Sequence, residues 1–263
     1  MSNLTISDIY VLLVEPSKAQ QRIIDGYLDQ LSIKNRTWVS TATEALERMA
    51  SHKPDLLVSA MHMEDMTGTE LVQTVRMDAK FNDVPFMLIS SETNYRYLEP
   101  IRQAGVIAIL KKPFSFEQLK KAVESTLYYI DPDDISTEDF VADELRVLVV
   151  DDSFTARRHI SRVLNNMGIV NIQTAENGKE ALDLVGKQYF DLLVTDYNMP
   201  EMDGGELVEL VRSGSQQASI PILMVSSETD TSRIASVQQS GVSAICDKPF
   251  EFQTVKELIQ RIV

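Results

Sequence analysis

Cysteine is nearly missing from this chain: the single Cys246 leaves no internal disulfide to support the fold. It lies in an apolar run, where a cysteine acts as a small buried side chain. No apolar stretch approaches the roughly 18 residues that a membrane span requires. The opening Met1-Ser2-Asn3-Leu4-Thr5 has no basic stretch followed by an apolar one, which argues against a secretory signal. A basic excess is also lacking. With 25 lysines and arginines against 39 acids, the formal charge is −14, the wrong sign for a phosphate backbone. These absences point to a cytoplasmic protein with neither membrane nor nucleic acid as partner.

What is there divides unevenly. The 263 residues are long for one small α/β domain and suit two. Residues 1–130 carry 14 bases and 16 acids, residues 131–145 seven acids and no base, and residues 146–263 carry 11 bases and 16 acids. Half of the net charge therefore sits in one short segment, which reads as a solvated linker. Shifted by 136 residues, the chain aligns with itself without a gap from Val11 to Leu127, with about a third of positions identical. Pro54-Asp55-Leu56-Leu57-Val58-Ser59 falls on Phe190-Asp191-Leu192-Leu193-Val194-Thr195, and Lys112-Pro113-Phe114 on Lys248-Pro249-Phe250. The period is far too long for a solenoid and means two copies of one domain.

In the second copy, strand-length apolar runs fall at about 146–151, 170–174, 190–196, 220–226 and 243–247. Helical patterns fall between and after them, at about 154–167, 178–187, 204–213, 231–240 and 251–262. In the first of these, Ile160, Val163, Leu164 and Met167 recur at helix spacing and Gly168 follows as a stop. Strict alternation predicts a five-stranded parallel sheet with helices on both faces. Subtracting 136 gives the first copy. The expected organisation is thus a domain over 1–130, an acidic linker over 131–145 and a domain over 146–263. A short linking helix begins at Ser136-Thr137-Glu138-Asp139-Phe140, and no output domain is expected after Val263.

Open α/β sheets do their chemistry beyond the carboxyl ends of the strands. There the second copy places Asp151, Asp152, Asp196, Ser226 and Lys248. Each alone has an ordinary alternative as a turn cap or a surface charge. Together, three carboxylates at one edge repel unless a cation joins them, and hard oxygens suit Mg²⁺. Asp196 then becomes a nucleophile toward a phosphoryl group, with Lys248 and the metal offsetting the charge on the transferred oxygens. Ser226 would hydrogen-bond the new phosphoryl group.

The set Val150-Asp151-Asp152-Ser153, Asp196-Tyr197-Asn198-Met199-Pro200, Ser226-Ser227-Glu228 and Lys248-Pro249-Phe250 resembles the receiver domain of bacterial two-component response regulators. It is especially similar to the chemotaxis regulators of the CheY type, including Thr155-Ala156-Arg157-Arg158 in the first helix. The resemblance implies two tandem, doubly wound (βα)5 flavodoxin-like domains. It makes Asp196 the phosphoacceptor, Asp151 and Asp152 the acidic pair of a Mg²⁺ site, the Asn198 backbone carbonyl a further ligand, Ser226 the switch hydroxyl and Lys248 the phosphate-contacting base. The Lys248-Pro249 bond is expected to be cis. Asn198 and Glu228 resemble the faster-hydrolysing members, implying a short-lived phosphoryl group. One departure stands out. Ile245 occupies the position of the aromatic that reports phosphorylation in the chemotaxis members, so docking to a flagellar motor in the usual manner is not implied.

In the first copy, Glu15, Pro16 and Ala60 stand where Asp151, Asp152 and Asp196 do. Neither nucleophile nor acidic pair survives, so Ser90 and Lys112 read as ordinary strand-end groups and the domain as a pseudo-receiver. His62 has only Glu64 and Asp65 near it as metal partners. His52 and His159 lack the surroundings of a phosphorylated histidine. Tyr95, Tyr97, Leu98 and Tyr128-Tyr129-Ile130 read equally as an interface or as a seal on the domain's own rim. The reading is a response regulator, not a turnover enzyme. A histidine kinase is its donor, an unidentified downstream protein its target, and the first copy a docking or dimerisation module, so that a homodimer is possible. The alternatives are a phosphate sink or relay intermediate, a scaffold, and a small-molecule phosphatase, the last disfavoured because Asn198 stands where a second acid would.

Overall fold

The computed structural model describes residues 5–130, 142–226 and 241–263. The chain forms two compact units, Met1–Asp134 and Ile135–Val263. In the first, β1 (Val11–Val14), β2 (Arg36–Val39), β3 (Leu56–Ala60), β4 (Phe86–Ser90) and β5 (Ala108–Lys111) make an all-parallel sheet in the order β2-β1-β3-β4-β5. The helices are α1 (Lys18–Gln30), α2 (Ala42–Ser51), α3 (Gly68–Met77), α4 (Tyr95–Gln103) and α5 (Phe116–Ile130).

The second unit repeats this with β6 (Arg146–Val150), β7 (Asn171–Ala175), β8 (Leu192–Asp196), β9 (Ile222–Ser226) and β10 (Ala244–Asp247), in the order β7-β6-β8-β9-β10. Its described helices are α6 (Phe154–Asn166), α7 (Gly178–Lys187), α8 (Gly204–Gly214) and α9 (Phe252–Ile262). The helix expected over 231–240 and the linking helix expected from Ser136 lie outside the described residues. At the end of the expected acidic linker, Ala142–Glu144 form a 3-10 turn whose Asp143 carbonyl accepts from Asn171 Nδ2 at 2.7 Å. Among the described residues no helix is long and apolar enough to cross a membrane.

Burial on both faces explains the unbroken apolar strands. Every residue of β8 and β9 is buried, as are Val147–Val150 of β6. The helix face read from the sequence is the one that packs: Ile160, Val163, Leu164 and Met167 are all buried, each aliphatic adding about 1.5–3 kcal/mol. Helix starts are set by matching caps in the two copies. Ser17 and Ser153 accept from Gln20 and Ala156, Thr41 and Asn177 from Glu44 and Glu180, and Thr67 and Asp203 from Glu70 and Glu206. The β7 strand begins one residue later than expected, leaving Val170 outside it.

Close approach dictates one glycine. A Cβ on Gly204, the first residue of α8, would lie 2.2 Å from the Asp196 carbonyl oxygen and 3.0 Å from Tyr197 Cα. Gly204→Ala is therefore expected to destabilise the second domain by about 1–3 kcal/mol. Because Trp38 of the first domain is the chain's only tryptophan, its fluorescence transition should stay put while the remaining circular-dichroism transition falls. An unchanged melt would show that the loop after β8 has room to give.

Candidate functional site

Parallel register assembles the site in the second domain. Val150 pairs with Thr195, so Asp151 and Asp196 leave their strands abreast. Asp196 pairs with Val225 and Asp247 with Ser226, which brings Ser226 and Lys248 to the same edge. The carboxylates of Asp151, Asp152 and Asp196 each offer an oxygen, all within 4.8 Å of one another. Asp151 and Asp196 are buried, and Asp152 is exposed at the mouth. Lys248 Nζ lies 2.9 Å from Asp151 Oδ2 and 3.1 Å from Asp196 Oδ2. The Lys248-Pro249 peptide bond is cis, as is its counterpart Lys112-Pro113.

Three carboxylates around one ammonium leave an excess of negative charge. Burial raises the Asp151 pKa above its ordinary value, with Lys248 opposing and the Asp152 charge adding to the rise. Burial alone would depress Lys248, but the Asp151 and Asp196 carboxylates outweigh it and hold the lysine above its ordinary value. Lys248 therefore stays cationic. Cys246 is no rival nucleophile, since burial, then Asp247 and Glu251, push its thiol up to about 12.

The acidic loop is held from behind. Ser153 N donates to Asp151 Oδ1 at 2.8 Å. Arg157, buried in α6, donates through Nη1 to the Asp151 carbonyl at 2.7 Å and the Asp152 carbonyl at 3.2 Å, and through Nη2 to Glu176 at 2.6 Å. The loop after Asp196 turns at Glu201, whose φ of 68° lies in the left-handed region, and is anchored by buried Met199 and Met202. Asn198, just past the acidic strand end, is exposed. Ile245 is partly buried and packs on the core. Ser227 and Glu228 lie outside the described residues.

The first domain keeps the frame with different contents. Ala60, buried, occupies the place of Asp196. Lys112 is not the ordinary strand-end group expected from sequence, since its Nζ lies 2.7 Å from Oε2 of buried Glu15. Glu15 has one methylene more than Asp151, and its side chain reaches the lysine. Ser17 N donates to Glu15 Oε1 at 2.9 Å as Ser153 does to Asp151, and Gln21 Nε2 donates to the Glu15 carbonyl at 2.5 Å, where the second domain uses Arg157. Ser90 behaves as expected, accepting from Glu92 N at 2.9 Å.

Other candidates resolve simply. Asp65 accepts from Ala42 N at 3.1 Å, Thr43 N at 2.7 Å and Thr43 Oγ1 at 2.7 Å, which engages it at the start of α2 rather than beside His62. Burial is the largest single influence and pushes its pKa up, but these bonds together outweigh it and bring it down to about 2. The His52 ring lies tilted against Tyr10, centroids 4.8 Å apart, and buried His159 meets the Phe250 carbonyl at 3.3 Å. Leu98 and Tyr129 are buried, so the seal is the better reading for them, while Tyr97 is exposed. The placement of the Tyr95 side chain lies outside the described residues.

A model of the response regulator receiver domain matches residues 11–124 and 147–260. The chain belongs to that family. Over 118 residues it is 39% identical to the chemotaxis protein CheY of Pseudomonas aeruginosa, covering 45% of this chain and 95% of that protein. Chemotaxis protein CheY-3 of Vibrio cholerae serotype O1 is 36% identical over 118 residues, covering 45% and 91%. A solved structure of Vibrio cholerae chemotaxis protein CheY4 is 37% identical over 45% of this chain and 98% of that one, with a TM-score of 0.43. Two receiver domains of CheY type place the chain in two-component signalling, which implies a histidine kinase as phosphodonor.

Proposed function

We propose that the second domain accepts a phosphoryl group on Asp196 from a histidine kinase and thereby changes the binding of a downstream protein. The observation that carries this is the placement of Asp196: buried, 3.1 Å from Lys248 Nζ, and within reach of two further carboxylates, where the other copy has Ala60. An Asp196 oxygen forms the new bond to phosphorus while the P–N bond to the donor imidazole breaks and the imidazole takes up a proton. Lys248 turns from its carboxylates to the transferred oxygens, and the Ser226 hydroxyl hydrogen-bonds one of them. The clustered hard oxygens fit Mg²⁺, held by Asp151, Asp152, Asp196 and the Asn198 carbonyl. When bound, the ion supplies positive charge that offsets the carboxylates and the transferred oxygens. Drawing Ser226 and Lys248 toward the phosphoryl group shifts the population of conformers at the β9–β10 face.

The chain turns over no external substrate in this reading beyond accepting and losing its own phosphoryl group. The first domain, a pseudo-receiver without an acceptor, is a docking or dimerisation module in a cytoplasmic protein that binds neither nucleic acid nor membrane. One observation favours a second reading, a phosphate sink or relay intermediate. Ile245 packs on the core in place of a reporting aromatic and offers a partner neither ring nor hydroxyl.

Incubation with acetyl phosphate and Mg²⁺, followed by borohydride trapping and peptide mapping, tests both. Label is expected on Asp196 alone, and none without the metal or in Asp196→Asn. Label in the first domain, or retained in Asp196→Asn, overturns the assignment. A phosphorylated chain that returns its phosphoryl group to donors and recruits no protein favours the sink.

A further inference from the structure

The two carboxylates of the loop after β6 are held unequally. Asp151 accepts from Ser153 N at 2.8 Å and from Lys248 Nζ at 2.9 Å. Among the described residues no hydrogen bond reaches the Asp152 carboxylate, which is exposed at the mouth. Its direction therefore depends on the backbone that carries it. The peptide group between Asp152 and Ser153 is gripped at both ends. Its N–H donates to Asp151 Oδ1, and its carbonyl accepts from Arg157 Nη1 at 3.2 Å, while the same nitrogen bonds the Asp151 carbonyl at 2.7 Å.

The Arg157 side chain is only 8% exposed, and a buried charge needs a partner. Glu176 supplies it, with Oε1 at 2.6 Å from Nη2, and the Phe154 ring centroid lies 5.8 Å from Cζ. Pairing matters to the site, because an unmatched positive charge behind Asp151 and Asp152 would oppose a cation in front of them. Reaching two carbonyls and a carboxylate at once takes the rigid fork of an arginine.

In the first domain the whole arrangement is gone together. Pro16, Gln21 and Ser40 stand where Asp152, Arg157 and Glu176 do. Proline fixes its own φ and has no carboxylate to aim. Gln21 Nε2 accordingly donates to one carbonyl, that of Glu15, at 2.5 Å, and Ser40 has no countercharge to offer. The backbone role at this last position is kept, since Ser40 N and Glu176 N both donate to the glutamate four residues on, Glu44 and Glu180. What differs between the copies is thus the second acid, the guanidinium and its partner. We propose that Arg157 is a positioning residue for the divalent cation: its fork, neutralised by Glu176, sets the peptide that aims the Asp152 carboxylate. The inference rests on the metal site of the proposed phosphoryl transfer.

Mn²⁺ takes the same hard oxygen ligands as Mg²⁺, and its free-ion paramagnetic resonance signal falls as it binds. Arg157→Gln gives the loop the first domain's residue and is expected to weaken Mn²⁺ binding to the full chain about tenfold. Asp152→Ala should weaken it too, and adding Arg157→Gln to that variant should cost no further affinity, because nothing is left to aim. Circular dichroism reads whether Arg157→Gln folds. Should it not, Glu176→Ser decides, since it alters only an exposed side chain: the unmatched guanidinium is expected to weaken Mn²⁺ about threefold. Unchanged affinity in Arg157→Gln or in Glu176→Ser, or an equal loss from Arg157→Gln with and without Asp152, overturns the proposal and leaves the metal site standing. An unmodified chain that binds no Mn²⁺ overturns both.

Discussion

Lys248→Met is expected to cost the second domain about 3–5 kcal/mol at neutral pH, a large part of the roughly 5–15 kcal/mol that holds a domain folded. The size follows from what the substitution leaves behind. Lys248 is 5% exposed, Asp151 0% and Asp196 1%, so removing the ammonium strands two carboxylates out of water within 3.1 Å of where it stood. The first domain provides the internal control. Lys112→Met strands only Glu15, whose lysine partner is itself 20% exposed, and a smaller loss is expected there. Adding Glu15→Gln to Lys112→Met should recover most of it, because replacing both members of a buried pair is far milder than breaking one. Denaturant unfolding followed by Trp38 for the first domain and by circular dichroism for the whole chain separates the two. Equal losses from Lys248→Met and Lys112→Met would mean that Asp196 is not held by the lysine.

These electrostatics were only partly legible in the residues. The fold was, because strands buried on both faces must be apolar throughout and each helix begins at a polar cap. The clustering of Asp151, Asp196, Ser226 and Lys248 was legible for the same reason: parallel strands of one sheet bring their ends to one edge. The Lys112–Glu15 pair was missed because glutamate in place of aspartate was read as a loss, when its extra methylene keeps a carboxylate within reach of the lysine. The braces from Arg157 and Gln21 were also invisible. A side chain reaching a backbone carbonyl needs no particular residue opposite it, so it leaves no paired signature in sequence. Tyr129, which read equally as an interface or as a rim seal, is buried with Leu119, Ala122 and Thr126 of the same helix. At β7 the apolar Val170 was read as the start of a buried strand, and its exposure emerged only from the sheet order.

Magnesium is expected to raise the melting temperature of the second domain and leave the Trp38 transition of the first unmoved, and to do so more strongly as pH rises. The pH dependence has a definite sign. Burial raises the Asp151 pKa above its ordinary 3.8, so the unfolded chain gives up that proton first. Its contribution to stability is complete below 3.8 and is lost as pH climbs through the folded value. The raised Lys248 acts in the same direction, but only above its ordinary 10.5. Without metal, the Asp151 contribution to the second domain should therefore fall away as pH rises above 3.8, while the lowered Asp191 of the same domain works the other way. A divalent cation needs the carboxylates ionised and competes with their protons, so its stabilisation grows across that same window. At a hundredfold excess over the dissociation constant it amounts to about 2.7 kcal/mol, or roughly 10 °C for a domain of this size. In the first domain one carboxylate already faces one ammonium at 2.7 Å and the nucleophile position is alanine, so no excess negative charge is left to draw a cation. Magnesium that shifts the Trp38 transition, or a second-domain melt indifferent to it at pH 8, would place the cation somewhere other than Asp151, Asp152 and Asp196.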